Sequence, residues 1–246
     1  MCTVTWLGTD DGYELFFNRD EKRTRGPASP PAVKERDAIR YLAPTDTTAG
    51  GTWIGVNESG LTVCVLNHHP IPFPGSPENK RSRGWLVDAL LGETSRTAIS
   101  DRIHTEDLEG YMPFILIAVD PEVAITSFIW DGTLVQQAEL DAGTMPLTTS
   151  SYDSEQVVAR RHAAFKRFRA EWSGVSRDML MAFHRQHDDG AGAYSVCMER
   201  EDARTVSFSH ITVTGDEMVF EYSSHPPCVH AQESPARLAL PRKPRV

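Results

Sequence analysis

Alternation of apolar and polar residues predicts β-strands along much of the chain. Residues 4–6 and 13–18 flank Asp10-Asp11-Gly12, and Asp-Gly supplies the positive φ angles of a tight turn, so this segment is predicted to be a hairpin. A second hairpin is predicted around residues 57–60, between two β-branched, apolar arms. Further strands are predicted at residues 114–119, 124–130, 134–140, 194–198, 205–213 and 218–222.

Apolar residues at helical spacing predict helices at residues 83–91, 95–103, 153–172 and 176–184. Three segments lack clear periodicity and are expected to be irregular: residues 21–48 as a long surface loop, residues 68–78 as a proline-rich loop, and residues 226–246 as a surface or flexible tail. Runs of strands between helical pairs are typical of an α+β fold, with two mostly antiparallel sheets between helical layers.

Length and charge restrict the architecture and the partners. At 246 residues with 40% hydrophobic residues, the chain is interpreted as one domain, residues 1–246, with its core in residues 2–225. A net charge of −9 argues against nucleic acid and anionic membranes as partners. No segment has the length of a membrane span or the pattern of a signal peptide, so a cytoplasmic location is expected; the oligomeric state stays open.

Cysteines and histidines show no metal-site pattern. The four cysteines lack a C-x-x-C pair, so neither a zinc site nor a disulfide framework is expected, and Cys64 and Cys197 are predicted to lie in the core. His184 and His187 are interpreted as a solvated helix end. No metal and no cofactor are predicted.

The second residue offers a nucleophile. Removal of Met1 would leave Cys2 with a free α-amine beside its own thiol. A terminal amine titrates near pH ~7.7–8.0 and a thiol near ~8.5, so the amine is suited to accept the thiol proton near neutrality. The alternative is that Cys2 is simply a small residue that begins an edge strand.

The first hairpin returns a charged tetrapeptide to this end of the chain. Asn18, Arg19, Asp20 and Glu21 end the return strand, so they are predicted to lie close to Cys2. Arg19 is expected to lower the pKa of the thiol or steady an oxyanion, and Asp20 to hold the α-ammonium. The alternative is a solvated charged turn.

These motifs resemble the NRDE family, which includes the transport and Golgi organisation proteins. The resemblance is carried by Met1-Cys2-Thr3, by the tetrapeptide Asn18-Arg19-Asp20-Glu21, and by the segment Gly50-Gly51-Thr52-Trp53-Ile54-Gly55-Val56. It implies the four-layer αββα sandwich of N-terminal-nucleophile (Ntn) hydrolases. More distantly, the chain is similar to the choloylglycine hydrolase and penicillin V acylase group, which cleaves amides with an N-terminal cysteine.

The resemblance also implies roles for individual residues. Cys2 matches the nucleophile, Arg19 the neighbouring arginine, and Asn67 an asparagine of the oxyanion hole. Asp20 matches the active-site aspartate, with Glu21 as a rival. The second catalytic asparagine of the acylases has no counterpart at residues 148–151: either Ser150 or Ser151 replaces it in an altered role, or hydrolase activity is weakened. Further candidates for substrate contact are Asn18, Trp53 and His68.

These residues are compatible with two functions. The first is an Ntn-type cysteine amidohydrolase or acyltransferase acting on a carbon–nitrogen bond of a small N-acyl compound. The alternative is a non-catalytic binding or trafficking protein for haem or a lipid-like ligand, which would need a broad apolar cleft. The absence of the second asparagine favours the alternative.

Overall fold

A computed structural model describes residues 2–69, 80–187, 190–229 and 234–243. In chain order, its strands are β1 (Cys2–Thr9), β2 (Gly12–Lys22), β3 (Ser29–Arg36), β4 (Ile39–Thr45), β5 (Ile54–Asn57), β6 (Thr62–Asn67), β7 (Phe114–Val119), β8 (Ile125–Trp130), β9 (Val135–Leu140), β10 (Leu147–Thr149), β11 (Ala203–Val213), β12 (Glu217–Ser223) and β13 (Ala236–Pro241). The α-helices are α1 (Arg83–Leu90), α2 (Arg96–Thr105), α3 (Ser154–Glu171) and α4 (Arg177–His184).

The strands form two antiparallel sheets. The first has the order β10-β1-β2-β11-β12-β13 and the second the order β3-β4-β5-β6-β7-β8-β9. The hydroxyl of the buried Tyr13 in the first sheet donates to Gly60 O at 2.9 Å, in the turn between β5 and β6, and lies 2.6 Å from Thr62 Oγ1 on β6 of the second sheet. The two sheets therefore pack face to face around a shared core.

Helices cover the outer faces of both sheets. Helices α1 and α2 pack on the second sheet, and α4 packs on β1 and β2 of the first. Helix α3 packs beside α4, where Phe165 and Phe183 meet edge to face at 5.1 Å between ring centroids. This arrangement confirms the predicted α+β class with sheets between helical layers. None of the described helices is long and apolar enough to cross a membrane.

Several sequence-based expectations about irregular segments are wrong. Residues 21–48 contain β3 and β4, which begin the second sheet. Residues 194–198, predicted as a strand, are irregular, although Cys197 in that segment is buried. The predicted tail contains β13, which pairs with β12 and buries Leu240. Most of the predicted loop at residues 68–78 lies outside the described residues.

Two side-chain expectations are also corrected. Cys197 and Cys228 form a disulfide across 31 positions of the sequence, where no disulfide was expected. His184 is fully buried instead of solvated: its Nε2 lies 2.9 Å from Thr5 Oγ1, and burial lowers its pKa to about 3. Helix α4 turns its apolar side toward the sheet, and His184 lies on that side.

Candidate functional site

Strand register places three site residues on one face of the first sheet. Cys2 lies directly opposite Arg19 on β2 and opposite Thr149 on β10. Residues directly opposite each other in antiparallel strands project to the same face. That face looks toward the second sheet, and a cavity of about 300 Å³ opens there, bordered by Cys2, Arg19 and residues of the second sheet.

Cys2 is about 6% exposed and borders this cavity. Burial raises the pKa of its thiol, and the nearby Asp20 carboxylate acts in the same direction. The backbone N–H of Asp20, which donates to the sulfur, and the charge of Arg19 act in the opposite direction. With its pKa raised, the thiol needs a base beside it in order to act as a nucleophile near neutral pH.

Arg19 is held in a fixed orientation. Its Nη2 lies 2.6 Å from Asp46 Oδ2, and its guanidinium lies 3.9 Å from the ring centroid of Trp53. Asp46 also accepts from Arg25 Nε at 2.8 Å. Burial alone would raise the pKa of Asp46, but the bond from Arg25 and the charge of Arg19 outweigh burial and lower it. The sequence motifs include Arg19 and Trp53 but not Asp46, which lies 27 positions from Arg19.

Asp20 is anchored from behind the sheet. Its Oδ1 accepts from Thr205 Oγ1 at 2.6 Å, and its Oδ2 lies 3.4 Å from Nη2 of Arg161 on α3. Arg161 is fully buried and also donates to Thr3 Oγ1 at 2.8 Å and Thr148 Oγ1 at 3.0 Å. Arg161 thus places a buried positive charge behind the Asp20 carboxylate, although no sequence motif singled it out.

A second cavity adjoins the first. It has a volume of about 330 Å³, and both cavities are bordered by Asp20, Glu21 and Asn67. Asn67 ends β6 and is therefore placed within reach of either space. Ser151 is exposed and lines only the second cavity, together with His69, whose pKa is lowered to about 4 mainly by burial.

Three of the predicted substrate-contacting residues have other neighbours. Asn18 is buried and donates its amide to His184 O at 2.9 Å and Val196 O at 3.1 Å, on the helical side of the sheet. Ser150 donates to Tyr152 O at 2.6 Å. His68 lies beside Asp131, and burial lowers the pKa of its imidazole.

Thr149 is a further polar residue beside the nucleophile. It lies directly opposite Cys2, and its Oγ1 is buried without a hydrogen-bond partner among the described residues. A buried hydroxyl without a partner costs free energy unless another group satisfies it. Because it shares a face of the sheet with Cys2, Thr149 is a candidate hydrogen-bond donor beside the nucleophile.

Several basic side chains line the first cavity, including Arg25, Lys80, Arg81 and Arg83. Arg83, the first residue of α1, donates its Nη1 to Pro113 O at 2.9 Å. Within the part of the chain that the structure describes, no carboxylate lies at ion-pair distance from Arg83, and burial lowers the pKa of its guanidinium. The cavity thus combines a thiol with a cation that lacks a carboxylate partner among the described residues.

Comparisons with known proteins bear on the family and the fold of the chain. The sequence profile described as transport and Golgi organisation 2 matches residues 1–199. No curated protein sequence matches the chain significantly. The structure is similar to penicillin V acylase from Agrobacterium tumefaciens, with a TM-score of 0.59, 10% identity and coverage of 98% of this chain and 86% of that one.

Two further solved structures show the same likeness. One is a variant of conjugated bile acid hydrolase from Clostridium perfringens, with a TM-score of 0.55, 12% identity and coverage of 99% of this chain and 97% of that one. The other is the Caenorhabditis elegans N-acylethanolamine-hydrolyzing acid amidase ortholog, with a TM-score of 0.58, 11% identity and coverage of 97% and 100%. At these identities the likeness establishes a shared fold, that of the Ntn hydrolases.

Proposed function

The chain belongs to the transport and Golgi organisation 2 family, and we propose that it is an Ntn-type cysteine amidohydrolase or acyltransferase acting on a carbon–nitrogen bond of a small N-acyl compound. The observation that carries the proposal is the position of the Cys2 thiol, which borders a cavity and lies opposite Arg19. The shared fold with amide-cleaving proteins supports the reaction class.

The proposed reaction begins once Met1 has been removed. The α-amine of Cys2 takes the thiol proton, and the thiolate attacks the carbonyl carbon of the substrate. The tetrahedral intermediate collapses, the ammonium returns the proton to the departing nitrogen, and the carbon–nitrogen bond breaks. Water or a second amine then attacks the thioester, which releases the acyl product and restores the thiol.

Two side chains are proposed to stabilise the oxyanion. Asn67 supplies an amide donor from the end of β6, and Thr149 supplies a hydroxyl from the strand beside Cys2. Thr149 takes the role that the sequence alone suggested for Ser150 or Ser151, because Ser150 bonds to Tyr152 and Ser151 is exposed. The buried Oγ1 of Thr149, without a partner among the described residues, supports this assignment.

Arg19 and Asp20 are proposed to organise the nucleophile. Arg19 is fixed by Asp46 and Trp53, so its charge is held beside the thiol and favours the thiolate. Asp20 is backed by Arg161 and is proposed to hold the α-ammonium of Cys2. Glu21 lies 3.8 Å from Arg19 and is the rival for this task.

The cavity also supports a choice of substrate. A volume of about 300 Å³ matches a small ligand, and its charged lining is unlike the broad apolar cleft that haem or a lipid would need. Arg83, which has no carboxylate within ion-pair distance among the described residues, would pair with an anionic group of the ligand. We therefore place N-acyl compounds that carry a carboxylate first among the candidate substrates.

The test begins with the mature protein. Intact mass spectrometry is expected to show loss of Met1, and liquid chromatography is expected to show cleavage of at least one compound in a panel of N-acyl amino acids. Cys2→Ser should bind the same compound but lose turnover, because an alkoxide forms less readily than a thiolate with an amine base. Cys64→Ala, which removes a buried thiol on β6, is the matched control and should keep turnover.

Two results would contradict the proposal. Retention of Met1 on most of the purified protein would leave the reaction without its base. Failure to cleave any N-acyl compound, together with equal binding of haem or a lipid by wild type and Cys2→Ser, would favour the carrier function.

A further inference from the structure

A second group of reactive side chains lies apart from the candidate active site. His187 follows α4, Cys197 lies between α4 and β11, and Cys228 follows β12. A ring nitrogen of His187 and the two sulfur atoms all lie within 4.8 Å of one another. In the structure the two cysteines form a disulfide, with their Cα atoms 6.5 Å apart.

The backbone brings these residues together from three segments. The N–H of Cys197 donates to Gln186 O at 3.1 Å, which ties the Cys197 segment to the residue before His187. Cys197 is buried, Cys228 is half-buried and His187 is exposed, so the group is open to solvent on its histidine side. A cavity of about 590 Å³ adjoins it and is lined by His187 and Cys228.

The donor atoms match the preferences of Zn²⁺. Two thiolates and one imidazole are a common zinc ligand set, and a fourth position is often filled by water. Bond lengths of about 2.3 Å to sulfur and about 2.0 Å to nitrogen place tetrahedral ligand atoms roughly 3.5 to 3.8 Å apart. The three ligand atoms already lie within 4.8 Å of one another, so only a small rearrangement of side chains is needed to bind the metal.

We infer that Cys197, Cys228 and His187 form a Zn²⁺ site when the protein is reduced, and that the same two sulfurs form the disulfide when it is oxidised. A dithiol reductant transfers two electrons and two protons to the disulfide and becomes a cyclic disulfide. Zn²⁺ then displaces the two thiol protons and binds both thiolates and the neutral imidazole, with water in the fourth position. The inference does not depend on the chemistry at Cys2.

The consequence is a link whose form depends on redox state. In the oxidised form the segment after β12 is tied covalently to the Cys197 segment between α4 and β11; in the zinc-bound form the metal also ties both to His187, which follows α4. The sequence alone does not predict this site, because the two cysteines are 31 residues apart and no short spacing motif connects them with His187.

The experiment measures zinc binding in a Cys2→Ser background, which removes the other cavity-facing thiol. After reduction with a dithiol and removal of the reductant, the protein is expected to bind one equivalent of Zn²⁺, and Co²⁺ should give thiolate charge-transfer and tetrahedral d–d absorption. Protein kept oxidised should bind none. His187→Ala should weaken binding by at least ~10- to 100-fold, since loss of even a supporting residue has that effect.

Matched variants separate this site from adventitious binding. His104→Ala removes an exposed histidine on α2 and should leave zinc affinity unchanged. Cys228→Ser should abolish the thiolate bands, with circular dichroism confirming the fold. The inference is overturned if the folded protein resists reduction, if the reduced protein takes up no zinc, or if Cys228→Ser binds as tightly as its parent.

Discussion

Arg161 offers a test of how the site is supported from inside the protein. Its guanidinium is fully buried and lies 3.4 Å from the Asp20 carboxylate, which is equally buried. Removing one partner of a buried ion pair takes away a charge that compensates the other, which typically costs about 3–5 kcal/mol. Since small domains are stable by only about 5–15 kcal/mol, Arg161→Met is expected to remove a large fraction of the free energy of unfolding.

The rest of the hydrogen-bond network is less affected by this substitution. Thr3 Oγ1 and Thr148 Oγ1 lie 2.8 Å apart, so the two hydroxyls keep one bond to each other after the guanidinium is lost. Asp20 keeps the bond from Thr205. The cost therefore concentrates on the Asp20 charge, and Arg161→Met combined with Asp20→Asn should recover most of the lost stability because it removes both charges.

Urea unfolding followed by circular dichroism measures both effects. Arg160→Met is the matched control, because Arg160 is exposed and its guanidinium lies 4.1 Å from the ring centroid of Tyr194; it should change stability by less than about 1 kcal/mol. The double variant should regain stability without regaining turnover, since Asp20 is proposed to act on the nucleophile. A loss below about 1 kcal/mol for Arg161→Met, or additive losses in the double variant, would refute the reasoning.

Three more outcomes are expected. Arg19→Ala should slow alkylation of Cys2 by iodoacetamide and shift the rate profile to higher pH, because a positive charge beside the thiolate is lost. Thr149→Val should lower kcat by on the order of 100-fold in steady-state assays, whereas Thr149→Ser should retain most of it. His184→Gln should flatten the pH dependence of stability. In the wild type, the unfolded chain protonates this histidine below pH ~6.5, whereas the buried imidazole of the folded protein, with a pKa of about 3, stays neutral. The free energy of unfolding of the wild type therefore falls by about 2–3 kcal/mol between pH ~6.5 and ~4.5, which urea unfolding can measure.

The strands of the two predicted hairpins follow from local sequence pattern, and so does β9, whereas the edge strands β3, β10 and β13 do not. The hairpin of β1 and β2 alternates visibly and has its Asp-Gly turn, so its position and register follow from local pattern. Strand β3 lies at the edge of the second sheet and is mostly exposed, so its residues show no apolar alternation. Pro30 and Pro31 also suggest a loop, although proline is tolerated at a sheet edge.

The candidate site was predictable only in the part that is local in sequence. Cys2 and Arg19 belong to one hairpin, so the turn alone predicts that they meet. Asp46 reaches Arg19 from the end of β4, and no short-range pattern indicates that contact. Arg161 did leave a signal: with Val157 and Phe165 it lies on the buried stripe of α3, at spacings of four residues. A basic residue on an apolar stripe predicts a buried charge that requires a partner.

The side-chain period of two explains why neighbouring residues of the tetrapeptide have different roles. Arg19 shares its face with Cys2 and Thr149 and points toward the cavity between the sheets. Asn18, one position earlier, points to the helical side and bonds to the end of α4. A slip of one residue in the β1–β2 register would exchange these faces and place Asn18 or Asp20, instead of Arg19, opposite Cys2. The turn at Asp10-Asp11-Gly12 fixes this register, so a turn distant from the cavity determines which side chain lies beside the nucleophile.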